Sequence, residues 1–203
     1  MKNSSGIICL VLLILSSATL EAWEIGTPPN TTLKIQFKNY TIVKDKYGKT
    51  IQGVLGVDRV LQIPGGKSVV FKQGTKITFD KYGKATSGTL YKLTCLTPMG
   101  WGTKTLMFAP NTFIKFNEKG YVITGTLYNI TYLLPPAWNS SASKGVPFKA
   151  MGQVTFNQNG RVTSGYLNWS YTFIDSNGKR VTKNQCNFVS FDAKGKLIPD
   201  SSR

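Results

Sequence analysis

Histidine is absent from the 203-residue sequence, and acidic residues are few: nine Asp and Glu stand against 25 Lys and Arg. Without histidine, the chain lacks the usual Ser-His-Asp and Cys-His catalytic groups and the commonest zinc ligand. Three carboxylates, Asp45, Asp80 and Asp192, fall in turns of a repeated unit, where capping the turn explains them. No calcium-loop or phosphate-binding glycine-loop spacing occurs. We therefore expect a protein that is not an enzyme and that holds no metal ion or cofactor.

Arginine is also scarce, so lysine carries most of the positive charge. Beyond residue 22 there are 24 basic residues, of which four are arginines, and 8 acidic residues, a net charge of +16 (24 − 8). Such charge favours an anionic partner, for example a phospholipid headgroup, lipopolysaccharide or an acidic glycan. We do not expect nucleic acid, because arginine is the residue of bidentate phosphate and base recognition. The alternative is that the lysines keep a β-rich protein soluble and protect its sheet edges.

Long apolar runs are missing after the N-terminus. Lys2 precedes a run of nine apolar residues at 7–15, and small residues that include Ala18 and Ala22 follow, a pattern typical of a signal peptide cleaved after either alanine. We expect 1–22 to be the signal peptide and 23–203 to be one secreted or periplasmic domain; an uncleaved N-terminal anchor is the alternative. No cysteine follows the cleavage site and no later segment suits a transmembrane helix, so we expect neither a lipid anchor nor a membrane span in the mature chain.

A short unit with two glycines recurs along the chain. Three copies match the template aliphatic-x-Phe-[Asp/Asn]-x-x-Gly-x-x-x-x-Gly-x-Leu without gaps, at residues 77–90, 114–127 and 154–167. Weaker copies lie at 45–55 and 189–199. The first glycines of the five copies, spaced by 35, 37, 40 and 35 residues, are Gly48, Gly83, Gly120, Gly160 and Gly195. A near-constant period with degenerate end copies is typical of a repeat protein with capping units.

Each unit predicts a β-hairpin. An aliphatic residue and a phenylalanine alternate with polar residues in the first strand, so both face one side of the sheet. An Asp or Asn opens the turn by capping it, and a glycine with positive φ closes it. In the copy at 77–90, Gly88 in the return strand indicates a bulge or a close approach to the backbone. A bulge between Ala85 and Leu90 would place both of these residues on the apolar face.

The segments between the units also have the composition of strands. They are 67–72, 104–108, 148–154 and 168–173, separated by clusters of Gly, Pro, Asn and Ser. No stretch shows sustained helical periodicity. The sequence therefore predicts an all-β protein, an antiparallel sheet of consecutive repeated β-hairpins that is elongated or curled toward a barrel.

The glycine-spaced unit resembles the MORN-like repeats of many bacterial proteins. The resemblance rests on the aromatic residue before the turn, the turn glycine and the glycine of the return strand, and it extends over most of residues 41–198. It implies stacked hairpins in an elongated or curled sheet and a binding or scaffolding role, and it carries over no catalytic residue. In this chain the two glycines lie five residues apart and the period is longer than in that family, so the likeness is one of construction.

Two features mark candidate binding residues. The position after the turn glycine is basic in four of the five units, at Lys49, Lys84, Arg161 and Lys196. If the hairpins stack in register, these residues form a basic row along one edge, which we expect to contact an anionic surface or glycan; the alternative is that exposed turns simply tolerate lysine. Loops between units contain Trp101 and Trp138, the other candidates, unless each tryptophan folds back to cover the end of the sheet.

Two cysteines lie beyond the predicted signal peptide, Cys95 and Cys186. Outside the cytosol such a pair suggests a disulfide. Roughly five or six strands separate them, on the order of 25 Å in a flat sheet with strands about 4.8 Å apart, whereas a disulfide needs Cα atoms within about 7 Å. Either the sheet curls enough to join them, or both thiols are unpaired.

The sequence thus favours a secreted, non-enzymatic binding or structural protein that contacts an anionic envelope or host-surface component through a basic edge. The alternative is a β-barrel that carries a small apolar ligand. That alternative requires a closed sheet with an internal cavity, so the shape of the sheet separates the two.

Overall fold

A computed structural model of the chain describes residues 35–139 and 144–199, together with the backbone of Ala22–Trp23. Residues 1–21 of the predicted signal peptide lie outside the described residues, so that peptide stays a prediction. The described residues form nineteen short β-strands and one 3₁₀ turn. They contain no helix that is long and apolar enough to cross a membrane.

The strands have two to five residues each, and the 3₁₀ turn, Pro64–Gly66, joins the fifth to the sixth. In chain order they are β1 (Ala22–Trp23), β2 (Ile35–Gln36), β3 (Val43–Lys44), β4 (Thr50–Val54), β5 (Arg59–Gln62), β6 (Ser68–Phe71), β7 (Lys76–Phe79), β8 (Ala85–Thr89), β9 (Thr94–Leu96), β10 (Leu106–Phe108), β11 (Phe113–Phe116), β12 (Val122–Thr126), β13 (Thr131–Leu133), β14 (Val146–Phe148), β15 (Gln153–Phe156), β16 (Val162–Tyr166), β17 (Tyr171–Ile174), β18 (Arg180–Lys183) and β19 (Phe188–Ser190).

Nine strands form one antiparallel sheet in the order β19-β16-β15-β12-β11-β8-β7-β4-β3. The predicted hairpins therefore stand side by side in chain order, each paired with the next, which confirms the all-β antiparallel fold of consecutive hairpins. The edge strands β3 and β19 do not pair with each other, so the sheet is open. An open sheet does not enclose the cavity that the carrier alternative required.

Four two-stranded hairpins, here named the cover hairpins, form a second layer: β5–β6, β9–β10, β13–β14 and β17–β18. Each follows one hairpin of the large sheet, and β1 pairs with β2 before the first unit. Their buried side chains join those of the large sheet in one continuous hydrophobic core. Because alternate residues of the large sheet are buried, the cover hairpins pack against one of its faces and leave the other exposed.

The second glycine of each full copy is explained by an aromatic ring from the preceding cover hairpin. In the three full copies, a Cβ added to this glycine would lie 2.6 Å from the Cδ1 atom of a fully buried phenylalanine, too close for carbon atoms in contact. The pairs are Gly88 with Phe71, Gly125 with Phe108, and Gly165 with Phe148. The glycine therefore marks a close approach to the backbone, one of the two predicted causes.

The predicted bulge is present as well, but Gly88 is not the extra residue. Phe79 pairs with Ala85 and Thr78 pairs with Ser87, so the return strand contains one extra residue before Gly88. The bulge therefore falls between Ala85 and Leu90, and both side chains are fully buried. The same irregularity recurs in the hairpins β3–β4, β11–β12 and β15–β16.

The predicted strand over 148–154 is wrong, because a turn interrupts it. Strand β14 ends at Phe148, β15 begins at Gln153, and Met151 between them has a φ of 56°. The Met151 N–H donates to the carbonyl of Leu127 at 2.8 Å, which ties the turn to the preceding unit. Equivalent positive-φ positions, four of the five without glycine, are Tyr40, Gly74, Asn111, Met151 and Cys186. Without glycine as a signal, the sequence gives little indication of these turns.

Candidate functional site

The five turns of the large sheet lie along one edge, here named the turn edge, because successive hairpins are antiparallel neighbours. In each turn the Oδ1 atom of the first residue accepts the backbone N–H groups two and four residues later, at 2.8–3.0 Å. The first residues are Asp45, Asp80, Asn117, Asn157 and Asp192. The turn aspartates therefore cap their turns, as the sequence predicts.

The predicted basic residues are distributed along this edge, one in each of four turns. Lys49, Lys84, Arg161 and Lys196 are all half-buried, and their N–H groups complete the turn bonds. A second set of lysines occupies the tips of the turns and is exposed: Lys46, Lys81, Lys119 and Lys194. The five turns thus contain eight basic and four acidic residues, a net charge of +4 (8 − 4). The basic row therefore has eight residues, whereas the sequence predicted four.

The loops at the tips of the cover hairpins reach the turn edge two repeats further along the chain. The carbonyl oxygens of Pro64, Met99 and Pro136 lie so close to a turn glycine that a Cβ would not fit there. The three turn glycines are, in the same order, Gly120, Gly160 and Gly195. These glycines therefore serve two purposes, a positive φ and a close approach by another part of the backbone.

Both candidate tryptophans belong to these tip loops. The Trp101 indole N–H donates to the carbonyl of Gly160 at 2.8 Å, and the Trp138 indole N–H donates to that of Gly195 at 3.0 Å. Each ring is half-buried over the turn that it contacts. The tryptophans therefore fold back onto the end of the sheet, as the alternative interpretation of these residues proposed.

The structure nevertheless brings two of the predicted site residues, Trp101 and Arg161, into one cleft of about 340 Å³. This central cleft lies where the β9–β10 tip loop, the end of the next cover hairpin and the turn at Gly160 meet. Lys104 and Tyr132 complete its charged and aromatic lining, and no carboxylate of the described residues lines it. Lys104 is exposed, and the Tyr132 side chain is 52% exposed, so solvent reaches both.

A second, smaller cleft of about 170 Å³ is built from the same three elements one repeat earlier. The tip loop of β5–β6 contributes Lys67, the turn contributes Lys119 and Tyr121, and the end of β9 contributes Leu96. Among the residues that the structure describes, none of those lining this cleft is a carboxylate. In this cleft Lys67 occupies the tip-loop position of Lys104. Tyr121 occupies the position of Arg161, directly after the turn glycine.

The other predicted residues lie outside these clefts. Trp138 sits beside the turn that contains Lys196, and its ring centroid lies 6.4 Å from that of Tyr171. Lys49 and Lys84 belong to the first two turns, and the Lys84 ammonium donates to the Gln62 side chain. The basic edge therefore extends over all five turns, and aromatic residues accompany it at the tip-loop junctions and also in the first two turns, which contain the exposed Tyr47 and Tyr82.

Sequence reasoning missed Lys67, Lys104 and Tyr132. The two lysines carried a usable signal, because each closely follows a glycine in a segment between repeats, Gly66-Lys67 and Gly102-Thr103-Lys104. Such a pair marks the tip of a hairpin, where a basic residue is exposed. Tyr132 carried no local signal, since its cleft partners come from other repeats.

A larger cavity of about 740 Å³ also lies beside the turn edge, and its lining includes Asp80, Glu118 and Lys119. Carboxylates outnumber cations there, so this cavity does not share the charge of the two clefts. Elsewhere, the described residues contain no group of three His, Cys, Asp or Glu side chains placed to hold a metal ion.

The two cysteines are separate and exposed. Cys95 lies opposite Met107 in a cover hairpin, and Cys186 occupies one of the positive-φ turns. Both thiols are free. The open sheet therefore corresponds to the alternative in which no disulfide joins them.

No family model matches the chain, and comparisons with curated proteins and with solved structures found no similar protein. The resemblance to MORN-like repeats therefore stays an interpretation of the glycine spacing.

Proposed function

We propose that this chain is a secreted, non-enzymatic binding protein that contacts an anionic component of an envelope or host surface through the turn edge. The observation that carries the proposal is the central cleft, where Lys104 and Arg161 share one lining with Trp101 and Tyr132, and where none of the described lining residues is a carboxylate. An anion that enters this cleft is attracted by two positive charges, and no lining carboxylate of the described residues repels it.

The surroundings of the cleft support the same proposal. The turn edge carries a net charge of +4 over its five turns (8 basic − 4 acidic), which raises the local concentration of anions and speeds their encounter with the cleft.

The aromatic residues favour a ligand that also has apolar faces, as a sugar ring does. Trp101 is held in place by its bond to Gly160, so its ring is a preorganised surface that loses little conformational entropy on binding. Tyr132 lies 6.2 Å from Trp169, ring centroid to centroid, which extends the aromatic surface beyond the cleft.

The proposal is tested by measuring binding of the mature chain to anionic liposomes and to immobilised acidic glycans, with phosphatidylcholine liposomes and dextran as neutral probes. Binding to at least one anionic probe is expected at low ionic strength, and it should weaken as salt screens the charges. Absence of binding to every anionic probe at low salt would falsify the proposal.

A pair of matched variants locates the site. Lys104→Gln/Arg161→Gln removes two charges from the cleft. We expect affinity to fall by about tenfold, which corresponds to about 1.4 kcal/mol of binding free energy. Lys76→Gln/Lys115→Gln removes two exposed charges from the face of the large sheet that the cover hairpins leave exposed. This variant should change affinity by less than about twofold. Equal losses in the two variants would mean that net charge alone, and not the cleft, attracts the anion.

A further inference from the structure

The central cleft is one member of a series along the turn edge. Each junction combines the tip loop of one cover hairpin with the turn two repeats later, as the contacts at Gly120, Gly160 and Gly195 show. Lys67 and Lys119 line the first junction, and Lys104 and Arg161 line the second. The third places Trp138 beside the turn of Lys196. Each junction therefore offers at least one cation, which comes from the tip loop, from the turn or from both.

The spacing of the junctions follows from the sheet. Successive turns are two strands apart, and strands lie about 4.8 Å from one another, so equivalent junctions recur about every 10 Å. This distance is comparable with the length of a disaccharide in an extended chain. A ligand with a regular repeat of charge along its length would meet at least one cation at each junction.

We infer that the ligand is a linear acidic polysaccharide that lies along the turn edge and occupies the junctions of successive repeats at once. This inference rests on the proposed function and names its ligand class. Several weak contacts on one chain raise the overall affinity far above that of any single contact, because each later contact is intramolecular. Shallow clefts of about 170 and 340 Å³ are suited to such use, since none encloses a whole ligand.

The composition of the edge favours a polysaccharide over a single-stranded nucleic acid. Seven of the eight basic residues in the turns are lysines, whereas the arginine fork is the side chain that matches a phosphodiester in bidentate geometry. Nucleic-acid channels also provide an aromatic ring for successive bases. Here Trp101 and Tyr132 share the central cleft, and the aromatic residue of the smaller cleft, Tyr121, lies one repeat away.

The test uses size-defined fragments of polygalacturonate, from disaccharide to octasaccharide, titrated into the mature chain at low salt. We expect the octasaccharide to bind at least about tenfold more tightly than the disaccharide, because it reaches several junctions. The dependence of affinity on salt should also steepen with fragment length, since more charges are neutralised. An oligothymidylate with the same number of charges serves as the nucleic-acid comparison.

Two double variants, Lys67→Gln/Lys119→Gln and Lys104→Gln/Arg161→Gln, separate the junctions. Each should weaken octasaccharide binding by about tenfold but disaccharide binding by only about twofold, because a disaccharide has the other cleft to occupy. The Lys76→Gln/Lys115→Gln control should leave the ratio of the two affinities unchanged.

The outcomes distinguish this inference from the proposed function. Equal affinity for disaccharide and octasaccharide overturns the polymer inference and leaves a single-cleft anion site. Binding to anionic liposomes without binding to any polygalacturonate fragment overturns the inference alone. Tighter binding of the oligothymidylate than of the octasaccharide overturns it in favour of nucleic acid. Failure of every anionic probe removes both proposals.

Discussion

Replacing Gly125 with alanine tests the packing that explains the second glycine of the repeat. A Cβ at this position would lie 2.6 and 2.7 Å from two ring carbons of Phe108 and 2.7 Å from the Cδ1 atom of Ile114. Carbon atoms in contact prefer about 3.5–4.0 Å, so these groups must retreat by roughly 1 Å. Both residues are fully buried, and a close-packed core offers little room for that movement.

The expected size of the effect follows from two opposing terms. Overpacking of a core costs about 1–3 kcal/mol, and the upper part of that range applies because two fully buried side chains must move. Alanine offsets about 0.4–1 kcal/mol by reducing the entropy of the unfolded chain. Gly125→Ala should therefore lower the free energy of unfolding by about 2 kcal/mol.

The assay is equilibrium urea unfolding followed by tryptophan fluorescence, with a double-mutant cycle as its control. In a Phe108→Leu background the smaller side chain leaves space for the new methyl group, so Gly125→Ala should cost at least about 1 kcal/mol less than in the parent chain. A loss below about 0.5 kcal/mol in the parent chain, or no relief from Phe108→Leu, would refute the argument that the ring excludes a side chain here.

Three further predictions concern single side chains. Cys186→Gly removes a side chain from a backbone with a φ of 63°, so stability in urea should rise by about 0.5–1 kcal/mol, whereas a decrease would show that the thiol packs favourably. Trp101→Phe keeps a ring but loses the hydrogen bond to Gly160, and unfolding should become easier by about 1 kcal/mol; an unchanged midpoint would contradict this. Iodoacetamide should alkylate both Cys95 and Cys186 in the folded chain without prior reduction, as intact mass will show, whereas labelling that requires a reductant would indicate a disulfide.

The large sheet was predictable because its rules are local. Alternation of Ile77 and Phe79, the capping Asp80 and the positive φ of Gly83 lie within seven residues of one another, and together they determine a hairpin. The turns between the layers were not predictable in this way. Met151 adopts the conformation that a glycine usually signals, because hydrogen bonds to the preceding unit hold its backbone there.

The same distinction between local signals and long-range contacts applies to the candidate site. Arg161 and Trp101 could each be singled out from the sequence, one by its place after a turn glycine and the other by its loop. Their proximity could not, because the contact between Trp101 and Gly160 spans 59 residues and depends on which turn each tip loop reaches. Lys104 and Tyr132 become part of the site only through that contact.

The contact between a tip loop and the turn two repeats later links stability to the site. It joins each repeat to more than its nearest neighbour, so the array should unfold more cooperatively than a solenoid in which only adjacent repeats touch. It also forms the walls of the clefts, and a turn without such a loop has no cleft of this kind. The turn that begins at Asp45 is an example, since no described residue lies within 4 Å of a Cβ placed on Gly48, and Tyr47 is 81% exposed. Adding repeats to this fold would therefore lengthen the basic row and add one cleft for each repeat, which is the geometry that a polymeric ligand requires.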